Sequence, residues 1–221
     1  MRRLSCTTNA YDRIYAPWIV GAGELLDLAA FDPRRHSLLD LCGGTGAVAQ
    51  EAIKRGADPA RIVVRDLNPR ADRLRVRQER GSAEDLNADG LYDVIVCRQA
   101  IGYVQNVPQM SERVARALRN GGVFVCNSPN PDRVSRTRVR GRWFGGALFL
   151  EWHWRTRGDD VLHVQARIGR HPGVDVTRFH LHSELEMMMA FSKSFEEVRL
   201  CRRRTSLHWR CTREEESCVE C

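Results

Sequence analysis

Short apolar runs alternate with amphipathic stretches over the first 130 residues of the chain. Runs typical of strands occur at residues 38–41, 62–64, 74–80, 92–97 and 123–126. Helical spacing of apolar residues predicts helices over 46–55 and 108–119, the second ending at Asn120-Gly121-Gly122. Strands that alternate with helices in this way indicate an α/β fold, with a mainly parallel sheet covered on both faces.

The pattern changes after residue 130. A basic loop is expected over residues 131–142, leading to Trp143-Phe144-Gly145-Gly146. Three strand-like runs follow, at 147–155, 160–168 and 174–182, and turn residues separate them. They predict an antiparallel β meander added to the main sheet.

The two ends of the chain carry further elements. Residues 7–31 have helical spacing, with Pro17 between two predicted helices, and either pack on the core or cover a ligand with Tyr11 and Tyr15. Ser183 and Glu186 stand at capping-box spacing and predict a helix to residue 191. Strands at 195–201 and 205–212 bring the predicted main sheet to seven strands.

We therefore expect a single domain over residues 1–221. Its predicted parts are an N-terminal helical lid (1–35), a nucleotide-binding core (36–130), an antiparallel β insertion (131–182), and a closing helix, β hairpin and polar tail (183–221).

The net charge of +7 comes almost entirely from arginine, since the only lysines are Lys54 and Lys193. The arginines are scattered, whereas nucleic-acid binding favours a concentrated basic face, so a nucleic-acid partner is not expected. An anionic small substrate fits the charge equally well. No apolar run approaches the roughly 20 residues of a membrane span, and the N-terminus lacks a signal-peptide h-region, so a cytoplasmic protein is expected.

The chain has eight cysteines. Cys42, Cys97 and Cys126 fall at predicted strand ends and should be buried thiols. Four more lie near the C-terminus, where zinc binding and exposed thiols are both open, although no metal is expected. These four are Cys201, Cys211, Cys218 and Cys221.

The segment SLLDLCGGTG, residues 37–46, carries the strongest chemical signal. A buried strand, a glycine turn and a helix N-terminus form a nucleotide-binding corner, because glycines let backbone amides approach a ligand closely. Gly44-x-Gly46-x-x-Ala49 also fits the dinucleotide pattern. Asp40, however, would repel a pyrophosphate and attract an ammonium and a sulfonium, which favours S-adenosylmethionine (SAM) over NAD or FAD.

Polar residues also follow the next strands of the predicted core. Asp66 ends the second strand 20 residues past Gly46, where a carboxylate can accept both ribose hydroxyls. The segment 81–86 can meet the adenine, and Cys97-Arg98-Gln99-Ala100 lies beside the expected methyl position. Each could be structural alone; their order along the chain indicates a SAM site.

These segments resemble the class I SAM-dependent methyltransferases. The likeness rests on LLDLCGGTG, VVRDLNP, GSAEDL, YDVIVCRQAIGYV and LRNGGVFVCNSP, within residues 36–128. It implies a Rossmann-like fold whose seven-stranded, mainly parallel sheet carries an added antiparallel β meander, with Asp85 facing the adenine. It is consistent with a cofactor set of Asp40, Cys42, Gly43, Gly44, Gly46, Asp66, Leu67, Ala83, Glu84, Asp85, Cys97 and Arg98. Cys42 departs from the family's small residue, and the short span from Asp66 to Gly81 abbreviates the second helix.

The outer parts resemble small-molecule methyltransferases of natural-product pathways, including N,N-dimethyltransferases of nucleotide-linked amino sugars. The shared features are Tyr11-Asp12-Arg13-Ile14-Tyr15, Ile101-Gly102-Tyr103 and the added sheet. The likeness implies N- or O-methylation of a small molecule, in secondary metabolism. An RNA or protein methyltransferase and a catalytically silent SAM-fold protein remain alternatives.

Candidate bases lie on the added sheet. Alternation places Glu151 with His153 on one face, and His180 with His182 on one face, which meets either solvent or the substrate pocket. A metal pair at His180 and His182 is disfavoured because no third ligand is evident. The sheet could equally be a homodimer interface. The candidate substrate contacts are Tyr11, Tyr15, Gln99, Tyr103 and Trp143.

Overall fold

The computed structural model describes residues 21–131, 134, 137–144, 146–156, 158–169, 172–203 and 206–213. Tyr11, Tyr15, most of the predicted lid, Cys218 and Cys221 lie outside the described residues. Within the described residues no helix has the length and apolar composition needed to span a membrane.

A seven-stranded sheet forms the centre of the molecule, in the order β10-β11-β5-β4-β1-β2-β3. Strands β1 to β5 pair in parallel, β11 pairs antiparallel with β5, and β10 pairs antiparallel with β11. The predicted mainly parallel sheet is confirmed. Its strands are β1 Leu38–Leu41, β2 Ile62–Asp66, β3 Arg77–Arg80, β4 Tyr92–Cys97, β5 Leu118–Pro129, β10 Glu197–Arg202 and β11 Ser206–Thr212.

Among the described residues, four helices cover this sheet, two on each face. Alternate residues of the central strands point to opposite faces, so Leu38 and Val94 join one apolar core while Leu39 and Ile95 join the other. The first core contains residues of α1 (Ala22–Leu28) and α2 (Ala47–Lys54). The second contains residues of α3 (Val107–Ala117) and α4 (Glu184–Phe191). Burial on both faces explains the nearly continuous apolar sequence of these strands.

The end predicted for the helix at 108–119, which is α3, is wrong. Helix α3 ends at Ala117, and Leu118 already pairs with Tyr92 as a residue of β5. Asn120-Gly121-Gly122 therefore lies inside the strand, where the register shifts and Gly121 adopts a φ of 71°. The glycines therefore allow the register shift within a strand and do not cap a helix.

The connection from β2 to β3 is short, as the sequence indicated. It contains only a 3₁₀ turn, Asp72–Leu74, where the apolar run had predicted the start of a strand. Strand β3 is therefore confined to Arg77–Arg80, the last four residues of the run predicted at 74–80.

The predicted antiparallel β meander is confirmed, and it forms a separate sheet beside the main one. Its four strands run as an antiparallel meander: β6 Thr137–Phe144, β7 Ala147–Arg155, β8 Asp160–Gly169 and β9 Gly173–His180. The basic loop expected over 131–142 is wrong from residue 137, because that segment pairs with β7 along its whole length. An edge strand tolerates charged side chains, which hid it from the apolar pattern.

A close contact fixes the second sheet against the first. The 3₁₀ turn Ile101–Tyr103, which follows β4, packs on the end of β9. A Cβ at Gly102 would lie 2.9 Å from the carbonyl oxygen of His180 and 3.0 Å from the Phe179 ring. The Tyr103 ring meets Phe179 edge to face, with centroids 5.8 Å apart. This contact holds β9 above the carboxyl ends of the parallel strands.

Candidate active site

A cleft of about 800 Å³ opens at the carboxyl ends of β1, β2 and β4. It lies where the strand order reverses, since β1 pairs with β2 on one side and β4 on the other. Open α/β sheets bind ligands at such a point. Residues 174–177 of β9 form the opposite wall, so the cleft is bounded by both sheets.

The loop from Gly43 to Gly46 forms the floor of the cleft. Gly44 and Gly46 have φ values of 52° and 75°, in the region that favours glycine. A Cβ at Gly43 would lie 2.6 Å from the Asp40 carboxyl carbon, and one at Gly46 would lie 2.7 Å from Leu74. The glycines are therefore needed for the turn and for its close packing on β1 and on the connection between β2 and β3.

Asp40 lies buried beneath this loop. Its Oδ2 accepts a hydrogen bond of 3.1 Å from the Ala49 amide at the start of α2. Burial raises the pKa of Asp40 to about 6, against the opposing effects of the Ala49 amide and the Arg98 charge. A buried carboxylate with little compensation is a strong partner for a cationic ligand.

Asp66 ties the glycine loop to the end of β2. Its Oδ2 accepts from the Gly44 amide at 3.0 Å, and its Oδ1 accepts from the Asn68 amide at 2.8 Å. The Arg70 amide donates to the Gly44 carbonyl oxygen at 2.7 Å. Asp66 thus lies at the cleft edge where the sequence analysis placed a ribose ligand.

The segment after β3 forms another wall of the cleft. Ala83 is buried, and Glu84 accepts a bond of 2.8 Å from the Gln105 amide as well as one from the Ser82 hydroxyl. Burial raises the pKa of Glu84, but these hydrogen bonds outweigh it and leave the pKa lowered. Asp85 is exposed, and only its carbonyl oxygen is engaged here, by Arg65 at 3.2 Å.

Two strained residues mark the end of the cleft nearest β4. Cys42 and Gln99 have φ values of 56° and 59°, which residues with a Cβ adopt at a cost. The Gln99 amide donates to Asn127 Oδ1 at 3.0 Å, which holds this conformation. The thiols of Cys42 and Cys97 are hydrogen-bonded to each other. This hydrogen bond, together with burial, raises the pKa of Cys97. Backbone strain of this kind concentrates at functional sites.

Most of the predicted cofactor residues share the cleft. The lining includes Asp40, Cys42, Gly43, Gly44, Asp66, Leu67, Ala83, Glu84 and Arg98, and it leaves out Gly46, Asp85 and Cys97. Gln99 and Tyr103 also line it, whereas Trp143 is 68% exposed on β6 and does not. The contacts that these residues make with ligands stay predictions.

A buried acid–base pair adjoins the cleft. Glu151 on β7 and His163 on β8 lie on the inner face of the second sheet, with Glu151 Oε1 2.7 Å from His163 Nε2. The other ring nitrogen, Nδ1, lies 3.5 Å from the Tyr103 hydroxyl. The His153 ring packs 4.7 Å from the His163 ring. The face that the sequence left open between solvent and pocket therefore points inward.

His163, together with Asp175 and Thr177 of β9, is the part of the site on the second sheet that the sequence analysis missed. His163 pairs directly with His153 across β7 and β8, a signal that depends on the register of the hairpin. Asp175 and Thr177 reach the cleft from an edge strand, with no motif to mark them. Asn68 and Arg70 line the cleft just past the Asp66 motif.

A second polar group lies on the far side of Tyr103. His180, His182 and Glu186 line a separate cavity of about 840 Å³, which also borders Tyr103 and Val104. His180 Nδ1 lies 3.0 Å from Asp160 Oδ1. Burial lowers the pKa of His182, and the neighbouring His180 lowers it further.

The sequence matches the family described as methyltransferase domain over residues 20–184. Among curated proteins it is 32% identical, over 118 aligned positions, to the ubiquinone/menaquinone biosynthesis C-methyltransferase of Nitrobacter hamburgensis. That match covers 45% of this chain and 46% of the relative, so the chain spans about half the length of the curated relatives it matches.

Solved structures share the fold over nearly the whole chain. DesVI of Streptomyces venezuelae aligns with a TM-score of 0.70 and 19% identity, covering 86% of this chain and 89% of DesVI. CalS10 of Micromonospora echinaspora, an amino pentose methyltransferase solved with SAM bound, aligns with a TM-score of 0.69 and 20% identity, covering 96% and 99%.

The chain therefore belongs to the methyltransferase domain family, and it shares the fold of CalS10, a methyltransferase solved with SAM bound. The cleft fits SAM. Gly44 presents a wall without a side chain, the Asp40 carboxylate suits an ammonium group, and Asp66 offers acceptors at the end of β2.

Proposed function

We propose that this protein transfers the methyl group of SAM to a nitrogen or oxygen atom of a small molecule. The observation that carries the proposal is the position of the buried Glu151–His163 pair. It lies behind Tyr103, whose side chain lines the cofactor cleft. Nitrogen and oxygen nucleophiles both lose a proton around methyl transfer, and this pair can accept one.

The two-walled cleft supports an acceptor of small size. Residues 174–177 of β9 face the glycine loop across the cleft, so acceptor and cofactor would share one bounded space. A duplex or a folded protein needs an open surface beside the methyl group. CalS10, described as an amino pentose methyltransferase of calicheamicin biosynthesis, shares the fold over 96% of this chain. This likeness favours a nitrogen acceptor and secondary metabolism for our chain.

Bound SAM supplies a methyl group on a sulfonium leaving group, so the protein's task is alignment and exclusion of water. Asp40 would hold the cationic amino-acid end, and Asp66 the ribose hydroxyls. Tyr103 and Gln99 would orient the acceptor at the end of the cleft nearest β4.

The proton of the acceptor can leave through Tyr103. With Glu151 Oε1 accepting from His163 Nε2–H, the lone pair of Nδ1 would face the Tyr103 hydroxyl at 3.5 Å. Burial raises the pKa of Tyr103, so the hydroxyl stays protonated and can pass one proton to His163 as it receives another.

Calorimetry with SAM and S-adenosylhomocysteine tests the cofactor part of the proposal. Replacing Asp66→Ala should weaken SAM binding at least tenfold, because it removes the ribose acceptors and loosens the Gly44 amide. Asp89→Ala is the matched control, since Asp89 is exposed and lies outside the cleft. Equal affinity of the two variants would contradict the assigned role of Asp66.

A substrate panel tests the transfer itself. Release of S-adenosylhomocysteine should be faster with nucleotide-linked amino sugars or phenols than with tRNA or histone peptides. Protein that binds SAM but reacts faster with the macromolecules would refute a small-molecule acceptor.

A further inference from the structure

Three metal-ligating side chains meet where β9 passes into α4. His180 ends β9, His182 lies in the link, and Glu186 lies in the first turn of α4. One ligand atom of each side chain lies within 4.8 Å of the others. Sequence spacing assigned Glu186 only a capping role, whereas the fold places its carboxylate beside the His180-x-His182 pair.

His182 carries a buried ring nitrogen without a hydrogen-bond partner among the described residues. That nitrogen is Nε2. A buried polar atom without a partner is uncommon, because it has lost its hydration and gained nothing in return. A cation beside Nε2 would satisfy it.

His180 already has the support typical of a metal-bound imidazole. Its Nδ1 lies 3.0 Å from Asp160 Oδ1, and Asp160 also pairs with Arg178. A carboxylate oxygen beside Nδ1 accepts a hydrogen bond, so Nδ1 is the ring nitrogen that carries the proton. The lone pair is therefore on Nε2, and carboxylate–histidine–metal chains have this arrangement.

Glu186 is held in place by the helix cap. Its Oε2 accepts from the Ser183 amide at 2.7 Å and from the Ser183 hydroxyl at 3.0 Å. Both bonds fall on Oε2, so the cap does not require Oε1. The carboxylate is thus oriented before any ligand arrives.

We propose that His180, His182 and Glu186 bind a divalent transition-metal ion, and that Zn²⁺ is the ion their donors suit best. Two imidazoles and one carboxylate form a known three-residue zinc set with a further position for another ligand. All three residues line the cavity of about 840 Å³, which has room for a water molecule or an anion near Arg178 and Lys193.

The ion would act as a structural link. It joins the end of the second sheet to α4, and α4 packs in the core of the first sheet. Tyr103 and Val104 separate the ion from the cleft that holds the glycine loop (residues 43–46), since these two residues border both cavities. Metal binding is therefore independent of the proposed methyl transfer.

The test is zinc uptake by the full chain, purified without a histidine tag and stripped with a chelator. A Cys218→Ser/Cys221→Ser background removes the terminal thiols as competing ligands. We expect one Zn²⁺ per chain by mass spectrometry, a melting temperature that rises with Zn²⁺, and reversal by chelator. His182→Gln should weaken the affinity at least about 100-fold, and Asp160→Asn about 10- to 100-fold.

Two controls make the result decisive. His36→Gln changes a histidine remote from the group, and His163→Gln tests the other histidine–carboxylate group, formed with Glu151 and His153. Both should keep full zinc affinity, and SAM binding should persist in His182→Gln, which shows that this variant is folded. Absence of uptake, uptake unchanged by His182→Gln, or loss only in His163→Gln would each overturn the proposal.

Discussion

At the residue scale, Asp40 is a carboxyl group whose burial in the cleft opposes its ionisation. Burial raises the pKa of Asp40 in the folded state to about 6, from an ordinary value of 3.8. The folded state therefore binds a proton more tightly than the unfolded state. This contribution to stability is complete below pH 3.8 and disappears as the pH rises through 6. At neutral pH the protein without cofactor bears the cost of a buried carboxylate.

Asp40→Asn should stabilise the protein without cofactor and weaken SAM binding. The amide oxygen can still accept from Ala49, while the buried charge is gone. The pKa difference of 2.2 (6 − 3.8) corresponds to a gain on the order of 3 kcal/mol at pH 8 and almost none at pH 4. Chemical denaturation at the two pH values measures the gain, and calorimetry should show at least tenfold weaker SAM binding. Lower stability of the variant at pH 8 would contradict this account.

His163→Gln should lower kcat about 10²- to 10⁴-fold, the range of general acid–base catalysis, with little change in SAM affinity. The loss should shrink as the pH rises, because the acceptor then ionises without help. Single-turnover rates across pH measure this, with His36→Gln as the control. A pH-independent loss would assign His163 a packing role.

At the element scale, the turn Ile101–Tyr103 determines how the two sheets meet. The strand and helix pattern of the core could be read from sequence because buried parallel strands are apolar on both faces, as at residues 92–97. Glycine spacing likewise placed most of the cofactor cleft. The pattern failed at β6, an arginine-rich edge strand, and at Gly121, whose role depends on the register with Tyr92. His163 was missed for the same reason: cross-strand neighbours follow from pairing, which one strand's sequence does not specify.

Gly102→Ala should separate β9 from the core. The new Cβ would meet the His180 carbonyl oxygen at 2.9 Å, and overpacking of this kind costs about 1–3 kcal/mol. We expect a lower melting temperature and a higher KM for the acceptor, with SAM affinity nearly unchanged. Gly21→Ala is the control, since a Cβ there meets nothing within 4 Å. Equal behaviour of the two variants would show that the contact is not tight in solution.

At the scale of the whole molecule, the outer face of the second sheet is apolar and exposed. Val139, Trp143, Trp154 and Ile168 are each more than half exposed, and the strand register places them on one face. Contiguous apolar patches of this kind mark interaction surfaces. The homodimer expected from the sequence would have this face as its interface.

Light scattering should give twice the chain mass of 25.3 kDa. Trp154→Glu should shift the protein toward monomer, because it places a charge within the apolar face. Leu185→Glu, at an equally exposed position on α4, should not. A monomeric wild-type protein at micromolar concentration would refute the pairing.

Because the cleft is divided between two sheets, its cofactor wall and its opposite wall can change independently in evolution. The cofactor loop belongs to the parallel sheet, and the opposite wall comes from β9 of a sheet that is hydrogen-bonded only to itself among the described strands. Changes in β6 to β9 can therefore alter acceptor preference while the cofactor loop stays as it is. A lineage built on this plan can acquire new substrates by exchanging one sheet, and chimeras between relatives should be made at the residues flanking β6 and β9.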